Sequence, residues 1–277
     1  MVDDAAAPVH ATAPRRERMS LAAIPGLPPV LACLALFLAW DLTARAVAID
    51  SLPSPWSALK EVPAILGDGE AIGNILASLR RMAIGLALAI VCAIPIGLMM
   101  GRSRAVAAFC NPLMMVIYPV PKAALMPIIM LWLGVGDAAK ILVIFLGVSL
   151  PVIYHSYQGG RAVEEKMLWS AAAMGMNAPA RLFRIALPAA LPEIMVGVRT
   201  GLVLALITMV TSEMIARQNG VGNILFNSLD MAQYQTVYGM IIVIGVLGFA
   251  LDAVFQMLRG VLVAWAEPAQ PIIVGST

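Results

Sequence analysis

Four residues in or beside the long apolar segments could act directly on a transported solute: Tyr118, Lys122, Arg199 and Glu213. Ionisable side chains are costly inside a bilayer, and they mark solute pathways where they occur. Lys122 lies between prolines in YPVPKAALMP, where a broken helix would expose backbone groups that are tolerated only inside protein or along a cavity. We predict a cationic lining that lets a small anion pass. The alternative is structural pairing, for example of Arg199 with a carboxylate.

Catalytic chemistry has little support in this sequence. None of the four lysines follows a glycine, so a Walker-type phosphate loop, which needs a Gly-Lys step, is excluded. The three cysteines and two histidines show no metal-ligand spacing. A membrane-embedded enzyme would need a nucleophile or metal constellation, which His155 alone does not supply. We expect no catalytic residue, no metal site and no cofactor in this chain.

The composition is that of an integral membrane protein. Apolar residues make up 61% of the 277 residues, charged residues only 12%, and the mean hydropathy is +0.90. Soluble domains carry about 25% charged residues. The net charge of +2, with no aromatic–basic pattern, argues against nucleic-acid binding.

The chain divides into a transmembrane region, 27–265, between an N-terminal tail, 1–26, and a C-terminal tail, 266–277. Six apolar segments approach the roughly 20 residues that cross a bilayer. They are about 30–49, 82–101, 113–133, 141–157, 194–215 and 237–258. The third segment is broken by prolines. A cleaved signal peptide is the alternative for the first segment, but Asp41 and Arg45 inside it argue against that alternative.

Loop charges predict the orientation. With both termini inside the cell, ten Lys and Arg residues lie in inner segments and six in outer segments, as the positive-inside rule favours. Arg80 and Arg81 then lie on the outer side, where we expect an interfacial helix leading into the second span. The loop 158–193 becomes cytoplasmic.

The cytoplasmic loop contains AAAMGMNAPARLFRIALPAALPEI, residues 171–194, which is unusually basic and rich in turn residues. Residues 163–174 favour a helix, Gly175 suits its C-terminus, and Asn177 with Pro179 suits the start of a second helix. We expect Pro188 to end that helix and Pro192 to begin the fifth span. The two short helices would then form a small protrusion on the cytoplasmic surface at which another protein could dock.

The first of these helices is expected to have an apolar face made of Val163, Met167 and Met174. Trp169 would point away from that face. It would lie at the lipid headgroups or anchor a protein contact.

Two G-x-x-x-G steps allow close helix packing in lipid. They are Gly97 with Gly101, and Gly197 with Gly201. Packing within one subunit and packing at a dimer seam are both open alternatives.

The loop resembles the EAA loop of ABC-importer permeases. Ile185 lies ten residues after Gly175 and is followed by Leu187 and Pro188, as the motif requires, and Ala171 matches its second Ala. Trp169 replaces the family Glu, and Ser170 replaces the first Ala. The segments LPSPWSAL, NPLMMVIYPVPKAALMPIIMLWLGVGDAAKI and LPAALPEIMVGVR resemble the nitrate/sulfonate/taurine branch. The resemblance covers about residues 50–262, with a core at about 72–262.

The resemblance implies an all-α, polytopic permease of the type I ABC-importer fold, with about six transmembrane helices and a cytoplasmic coupling helix. It implies a homodimer in the bacterial inner membrane. Its other partners would be lipid, a cytoplasmic ATPase dimer that binds ATP and Mg, and a solute-binding protein outside. The positions that would couple to the ATPase are Glu164, Glu165, Trp169, Ser170, Ala171, Ala172, Gly175, Met176, Arg181 and Pro188.

The resemblance makes an aliphatic sulfonate or taurine the first expectation for the substrate, with nitrate, bicarbonate or another small solute as alternatives. A secondary transporter is the competing class. It predicts paired broken helices related by an internal repeat, and the sequence shows only one proline-broken segment.

Overall fold

A computed structural model describes residues 27–266. The predicted tails, 1–26 and 266–277, lie outside this range except for Ala266. The described part of the chain is helical and has no strand, which confirms the all-α prediction. Contacts divide the chain into two units, residues 1–55 and 56–277.

The first unit contains α1, Leu27–Val47, of which Pro28–Val47 is apolar and long enough to cross a membrane. Arg45 forms an ion pair with Asp41 one helical turn away, at 2.8 Å. The indole nitrogen of Trp40 donates to the carbonyl oxygen of Pro53 at 3.1 Å. The chain after α1 is therefore tied back to the helix.

The second unit is built from ten helices within its described residues. Their bounds are α2 Pro55–Gly67, α3 Gly69–Arg102, α4 Arg104–Ile117, α5 Met126–Leu133, α6 Asp137–Ala162, α7 Glu165–Ala173, α8 Ala178–Arg181, α9 Leu187–Ala216, α10 Val221–Asp230 and α11 Tyr234–Leu262. A 3₁₀ turn, Lys122–Leu125, precedes α5, and a π turn, Leu182–Ala186, joins α8 to α9.

The core forms around α6, which packs between α3 and α9. Val143, Ile144, Val148 and Val152 on α6 are fully buried. Glycines bring the three backbones close: a Cβ at Gly97 would lie 2.4 Å from the Cβ of Ser156. Gly97 and Gly101 of α3, and Gly197 and Gly201 of α9, all lie against α6. Both G-x-x-x-G steps therefore pack within one chain.

On two core helices, charged residues lie at both ends of an apolar stretch that is long enough to cross a membrane. Arg81 and Arg102 lie about 31 Å apart along α3, and Lys140 and Arg161 are equally far apart on α6, at 1.5 Å per residue. The hydrocarbon core of a bilayer is about 30 Å thick. The two ends of this bundle therefore correspond to the two membrane surfaces.

The described residues contain five helices that could span a membrane, or six if the bent pair Arg104–Ile117 and Lys122–Leu133 counts as one span. This agrees with the prediction of about six. The break in the third segment is sharp, with an angle of 81° between the two helices. Tyr118–Pro121 interrupts the helix because the prolines at 119 and 121 cannot donate backbone hydrogen bonds.

Several predicted boundaries were wrong. The second span begins at Gly69, capped by Asp68, so Arg80 and Arg81 lie inside α3 and not on a preceding interfacial helix. The fourth is Asp137–Ala162, longer than 141–157. The loop 158–193 is largely helical, and its irregular part is limited to the residues around α7.

Neither Pro188 nor Pro192 breaks the helix, contrary to expectation. A continuous segment runs from Ala178 to Ala216. Leu187 donates its backbone N–H to the carbonyl of Leu182, five residues back, at the π turn directly before Pro188. The widened turn changes the bonding register where a proline N–H is missing, so the second loop helix and the fifth span are one segment.

Candidate functional site

The segment Val163–Asn177 joins α6 to α8 at one end of the bundle, and we call it the coupling turn. Its helix, α7, ends in a pair of hydrogen bonds: Met176 N–H to the carbonyl of Ala171 and Gly175 N–H to the carbonyl of Ala172, both 3.0 Å. This pattern is the Schellman motif, which requires a left-handed residue. Gly175 supplies it with φ +82, as the sequence predicted.

The next helix begins as predicted from its first residues. The side-chain oxygen of Asn177 accepts the backbone N–H of Ala180 at 2.9 Å, and Pro179 lies in the first turn. The Schellman motif fixes the C-terminal end of α7, and the Asn cap two residues later fixes the N-terminal end of α8. The angle between α7 and α8 is therefore determined by two backbone hydrogen bonds and one side-chain cap.

The exposed face of α7 differs from the predicted one. Val163 is buried, but Met167 and Met174 are exposed, because α7 starts at Glu165 and Val163 lies in extended backbone before it. Leu168 and Ala171 form the buried face instead. The side chain of Trp169 points outward and is 64% exposed.

The residues predicted to couple to an ATPase fall into two groups. Ala171 is buried, and Met176, Arg181 and Pro188 are half-buried, with Pro188 in the first turn of α9. The others are exposed at the coupling turn: Glu164, Glu165, Trp169, Ser170, Ala172 and Gly175. The exposed group forms one accessible surface that carries two carboxylates, Glu164 and Glu165, and a large aromatic side chain.

A charge cluster with three buried members occupies the opposite end of the bundle, and sequence reasoning missed it. Arg81 on α3 is 1% exposed and donates to Glu213 on α9 at 2.7 Å and to Asp137 on α6 at 2.6 Å. It also donates to the side-chain oxygen of Asn219 at 2.6 Å. Lys140, fully buried, donates to the same oxygen at 2.9 Å. We call these five residues the Arg81 cluster.

Glu213 was predicted as a pathway residue, but its carboxylate is fully buried. It accepts hydrogen bonds from Ser78 at 2.7 and 2.8 Å and from the backbone N–H of Gly222 at 3.2 Å. Gly220, with φ +112, lies so close that a Cβ there would be 2.2 Å from the carboxyl carbon. The Arg81 cluster thus fixes the turn between α9 and α10 to α3 and α6.

The sequence held one usable signal for this cluster. Arg81, Asp137, Lys140 and Glu213 each lie at the same end of an apolar segment once the topology is drawn. Opposite charges at matching depths could have been paired, since unpaired charges near hydrocarbon are costly.

Lys122 lies at the break between α4 and α5. Its ammonium group donates to the carbonyls of Ile117 and Val120, the latter at 2.6 Å, and lies 3.5 Å from that of Tyr118. These carbonyls belong to the C-terminal end of α4 and the turn after it, which carry partial negative charge. The lysine therefore satisfies the interrupted backbone. Tyr118 itself is 66% exposed.

Arg199 on α9 forms a two-bond ion pair with Asp252 on α11, at 2.8 and 2.9 Å. This is the carboxylate pairing considered from the sequence. The pair is not buried, since the two side chains are 48% and 32% exposed. It lies well inside the apolar length of both helices.

Residues 93–263 match the model of the family described as binding-protein-dependent transport system inner membrane component. The chain belongs to this family. It is a permease of the ABC-importer class and an inner-membrane component, which leaves no place for the secondary-transporter alternative.

Three relatives illustrate the branch. The taurine transport permease of Escherichia coli is 31% identical over 79% of this chain and 82% of its own length. A putative aliphatic sulfonates transport permease of Bacillus subtilis is 29% identical over 79% of each chain. The nitrate import permease of Synechocystis is 26% identical over 90% of this chain and 95% of its own. The predicted nitrate/sulfonate/taurine branch is confirmed.

Proposed function

We propose that this permease imports a small solute that carries one singly charged oxyanion group, with an aliphatic sulfonate or taurine as the first candidate and nitrate or bicarbonate as alternatives. The observation that carries this proposal is the chemistry shared by the relatives' substrates. Taurine, aliphatic sulfonates and nitrate each present one negative charge spread over three oxygens on one central atom. A pathway for such solutes needs cationic or hydrogen-bonding groups at its walls and no dedicated catalytic residue.

Arg199 is the best candidate for such a group. It lies about 9 Å along α9 from Glu193 and about 21 Å from Glu213, within the apolar stretch. An exposed ion pair at that depth would be costly against hydrocarbon, so a water-filled path or a second subunit should cover it. Lys122 and Tyr118, at the helix break, are the further lining candidates, and Glu213 would act through the Arg81 cluster.

The working unit would be a homodimer. In support, α4 and α5 expose large apolar side chains, including Met115, Val116, Leu131 and Trp132, each more than 70% exposed. A second copy would cover part of this surface, and lipid would cover the rest. The pathway would then run between the two copies.

ATP and Mg would be bound by a separate cytoplasmic ATPase dimer, and this chain would carry no metal or nucleotide. The exposed residues of the coupling turn would insert into a groove on the ATPase. A solute-binding protein would deliver the substrate at the opposite surface, beside the Arg81 cluster. The purified permease alone should therefore hydrolyse no ATP, and turnover by a rigorously purified sample would contradict this assignment.

Both termini would lie in the cytoplasm, in keeping with the ten-to-six distribution of positive charges. Reporter fusions after Gly175 and after Asp230 test this orientation. The first reporter should report a cytoplasmic location and the second a location outside the membrane. The reverse pattern would overturn the orientation but not the family.

Uptake by proteoliposomes tests the substrate proposal. The permease is reconstituted with its ATPase and binding protein, and ATP-dependent uptake is compared for taurine, an alkanesulfonate, nitrate, bicarbonate and a matched cation of similar size, choline. Saturable uptake of one oxyanion, with none of choline, is expected. Uptake of choline but of no oxyanion would refute the proposed substrate class.

A further inference from the structure

A pocket of about 650 Å³ lies beside the coupling turn. Its wall is formed by the end of α3, the start of α4, and the helices α7 and α8 with the π turn. Arg102 and Ser103 contribute from the first pair, and Trp169, Arg181 and Phe183 from the second. This volume falls within the range of about 300–1,000 Å³ that small-molecule sites occupy.

The pocket combines positive charge with apolar walls. Two guanidinium groups, Arg102 and Arg181, line it, and its lining, drawn from residues 27–266, includes no carboxylate. The guanidinium group of Arg181 makes no hydrogen bond or ion pair with any described residue, and that of Arg102 makes two long bonds of 3.4 Å to the carbonyls of Gly160 and Val163. Both arginines can therefore bind an anion without losing an existing carboxylate partner.

The apolar part of the pocket is large. Met99, Val106, Leu168, Leu182 and Ala186 line it. Two aromatic side chains, Trp169 and Phe183, are 64% and 60% exposed. A free inorganic anion would leave these apolar walls uncovered, whereas an amphiphile would cover them with its chains.

The location of the pocket matches the membrane surface. Arg102 is the last residue of one apolar helix, and Ala186 lies near the start of the continuous segment Ala178–Ala216. Arginine, tryptophan and short apolar walls at helix ends are the features of a headgroup-level lipid site. Basic pockets between transmembrane helices bind anionic headgroups of this kind.

We infer that this pocket is a binding site for an anionic phospholipid, whose phosphate pairs with Arg102 and Arg181 and whose chains cover the apolar wall up to Trp169. The site itself does not depend on the proposed coupling to an ATPase. The effect of bound lipid on coupling does rest on the proposed function. Trp169 and Arg181 also belong to the predicted coupling surface, so bound lipid would fix the position of the coupling turn relative to α3.

Native mass spectrometry of the purified full-length permease, without ATPase, tests the site. The protein is titrated with phosphatidylglycerol and with phosphatidylcholine of identical acyl chains. We expect tighter binding of phosphatidylglycerol by about tenfold or more, the scale of one charge-assisted contact. Equal binding of both lipids would overturn the inference.

Variants locate the binding. Arg102→Gln and Arg181→Gln should each remove most of the preference, whereas Arg102→Lys and Arg181→Lys should keep a preference of reduced size because the charge remains. Arg184→Gln is the matched control, because Arg184 is exposed on the same segment but does not line the pocket. A preference unchanged in both Gln variants would place the lipid elsewhere and refute the site.

A third arm separates lipid from soluble anion. Dibutyryl phosphatidylglycerol and inorganic phosphate carry the anionic chemistry without long chains. Both should bind at least tenfold more weakly than the long-chain lipid. If either binds as tightly, the pocket is a soluble-anion site, and the lipid assignment is wrong.

Discussion

Arg81 on α3 and Glu213 on α9 form an ion pair of 2.7 Å in which one side chain is 1% exposed and the other fully buried. They are 132 residues apart in sequence. Every remaining polar atom of the guanidinium and carboxylate is placed near a partner in Asp137, Asn219, Ser78 or a backbone group. A buried pair with its surroundings satisfied is a structural constraint whose loss is expensive.

Arg81→Met should lower the free energy of unfolding by about 3–5 kcal/mol, because Glu213 is left buried without its charge partner. Arg80→Met is the matched control. Arg80 also contacts Asp137 but is 64% exposed, so its loss should cost less than about 1 kcal/mol. Denaturant titration in mixed micelles measures both variants, and equal effects would contradict the structural role of the Arg81 cluster.

Gly220→Ala should destabilise the permease by roughly 2–4 kcal/mol, combining left-handed strain with overlap against the Glu213 carboxylate. Gly73→Ala offers a control of opposite sign. Gly73 is exposed inside α3 with nothing within 4 Å of a Cβ, so alanine should stabilise the helix by about 0.5–1 kcal/mol. Midpoint temperatures in detergent give the comparison. A neutral Gly220→Ala variant would mean that the turn can move away.

Gly175→Val should weaken coupling to the ATPase, because φ +82 costs a β-branched residue about 1–3 kcal/mol. No atom would clash with its Cβ, so the effect is one of backbone conformation. Gly175→Asn should therefore restore coupling, since Asn tolerates the left-handed region. Substrate-stimulated ATP hydrolysis by the reconstituted complex is the readout. Normal coupling in Gly175→Val would remove the Schellman geometry from the mechanism.

Trp169→Ala should reduce affinity for the ATPase by about thirtyfold if Trp169 anchors the interface, the scale of a 2 kcal/mol hot spot. Met167→Ala, on the same helix and 47% exposed, serves as the control. Co-purification and surface plasmon resonance with the ATPase measure association. If Trp169→Ala binds normally, the indole contacts lipid and not the ATPase.

Arg199→Met should lower solute uptake while the complex still assembles, because the proposed anion pathway would lose a positive charge at mid-depth. The double variant Arg199→Met/Asp252→Met separates this role from simple pairing. It removes both charges, so it should restore stability but not uptake. Recovery of uptake in the double variant would show that Arg199 serves only to neutralise Asp252.

Local features of the site were predictable from sequence because they depend on residues a few positions apart. Gly175, Asn177 and Pro179 each act through backbone geometry within one helical turn, and the structure has all three as expected. The helix packing by Gly97 and Gly101 was also visible, although which helix they contact was not.

The features that sequence reasoning missed depend on contacts between residues that are distant in sequence. Arg81 was predicted to lie on an interfacial helix leading into the second span, because it falls on the outer side of the predicted topology. Its partners are supplied by α6 and α9. Pro188 was expected to break the helix because prolines usually do, and the π turn at Leu182–Ala186 that accommodates it has no simple sequence signature.

The uninterrupted segment Ala178–Ala216 acts mechanically as a single stiff rod that joins the two membrane surfaces. Its 39 residues span about 58 Å at 1.5 Å per residue. The backbone bonding is widened at the π turn, Leu182–Ala186, which lies next to the coupling turn. A tilt of about 5° pivoting there would swing Glu213, about 40 Å away, by about 3.5 Å. Movement of that size exceeds the 2.7 Å contact with Arg81. A small rotation at the coupling turn would thus be enough to shift the far end without any helix unfolding.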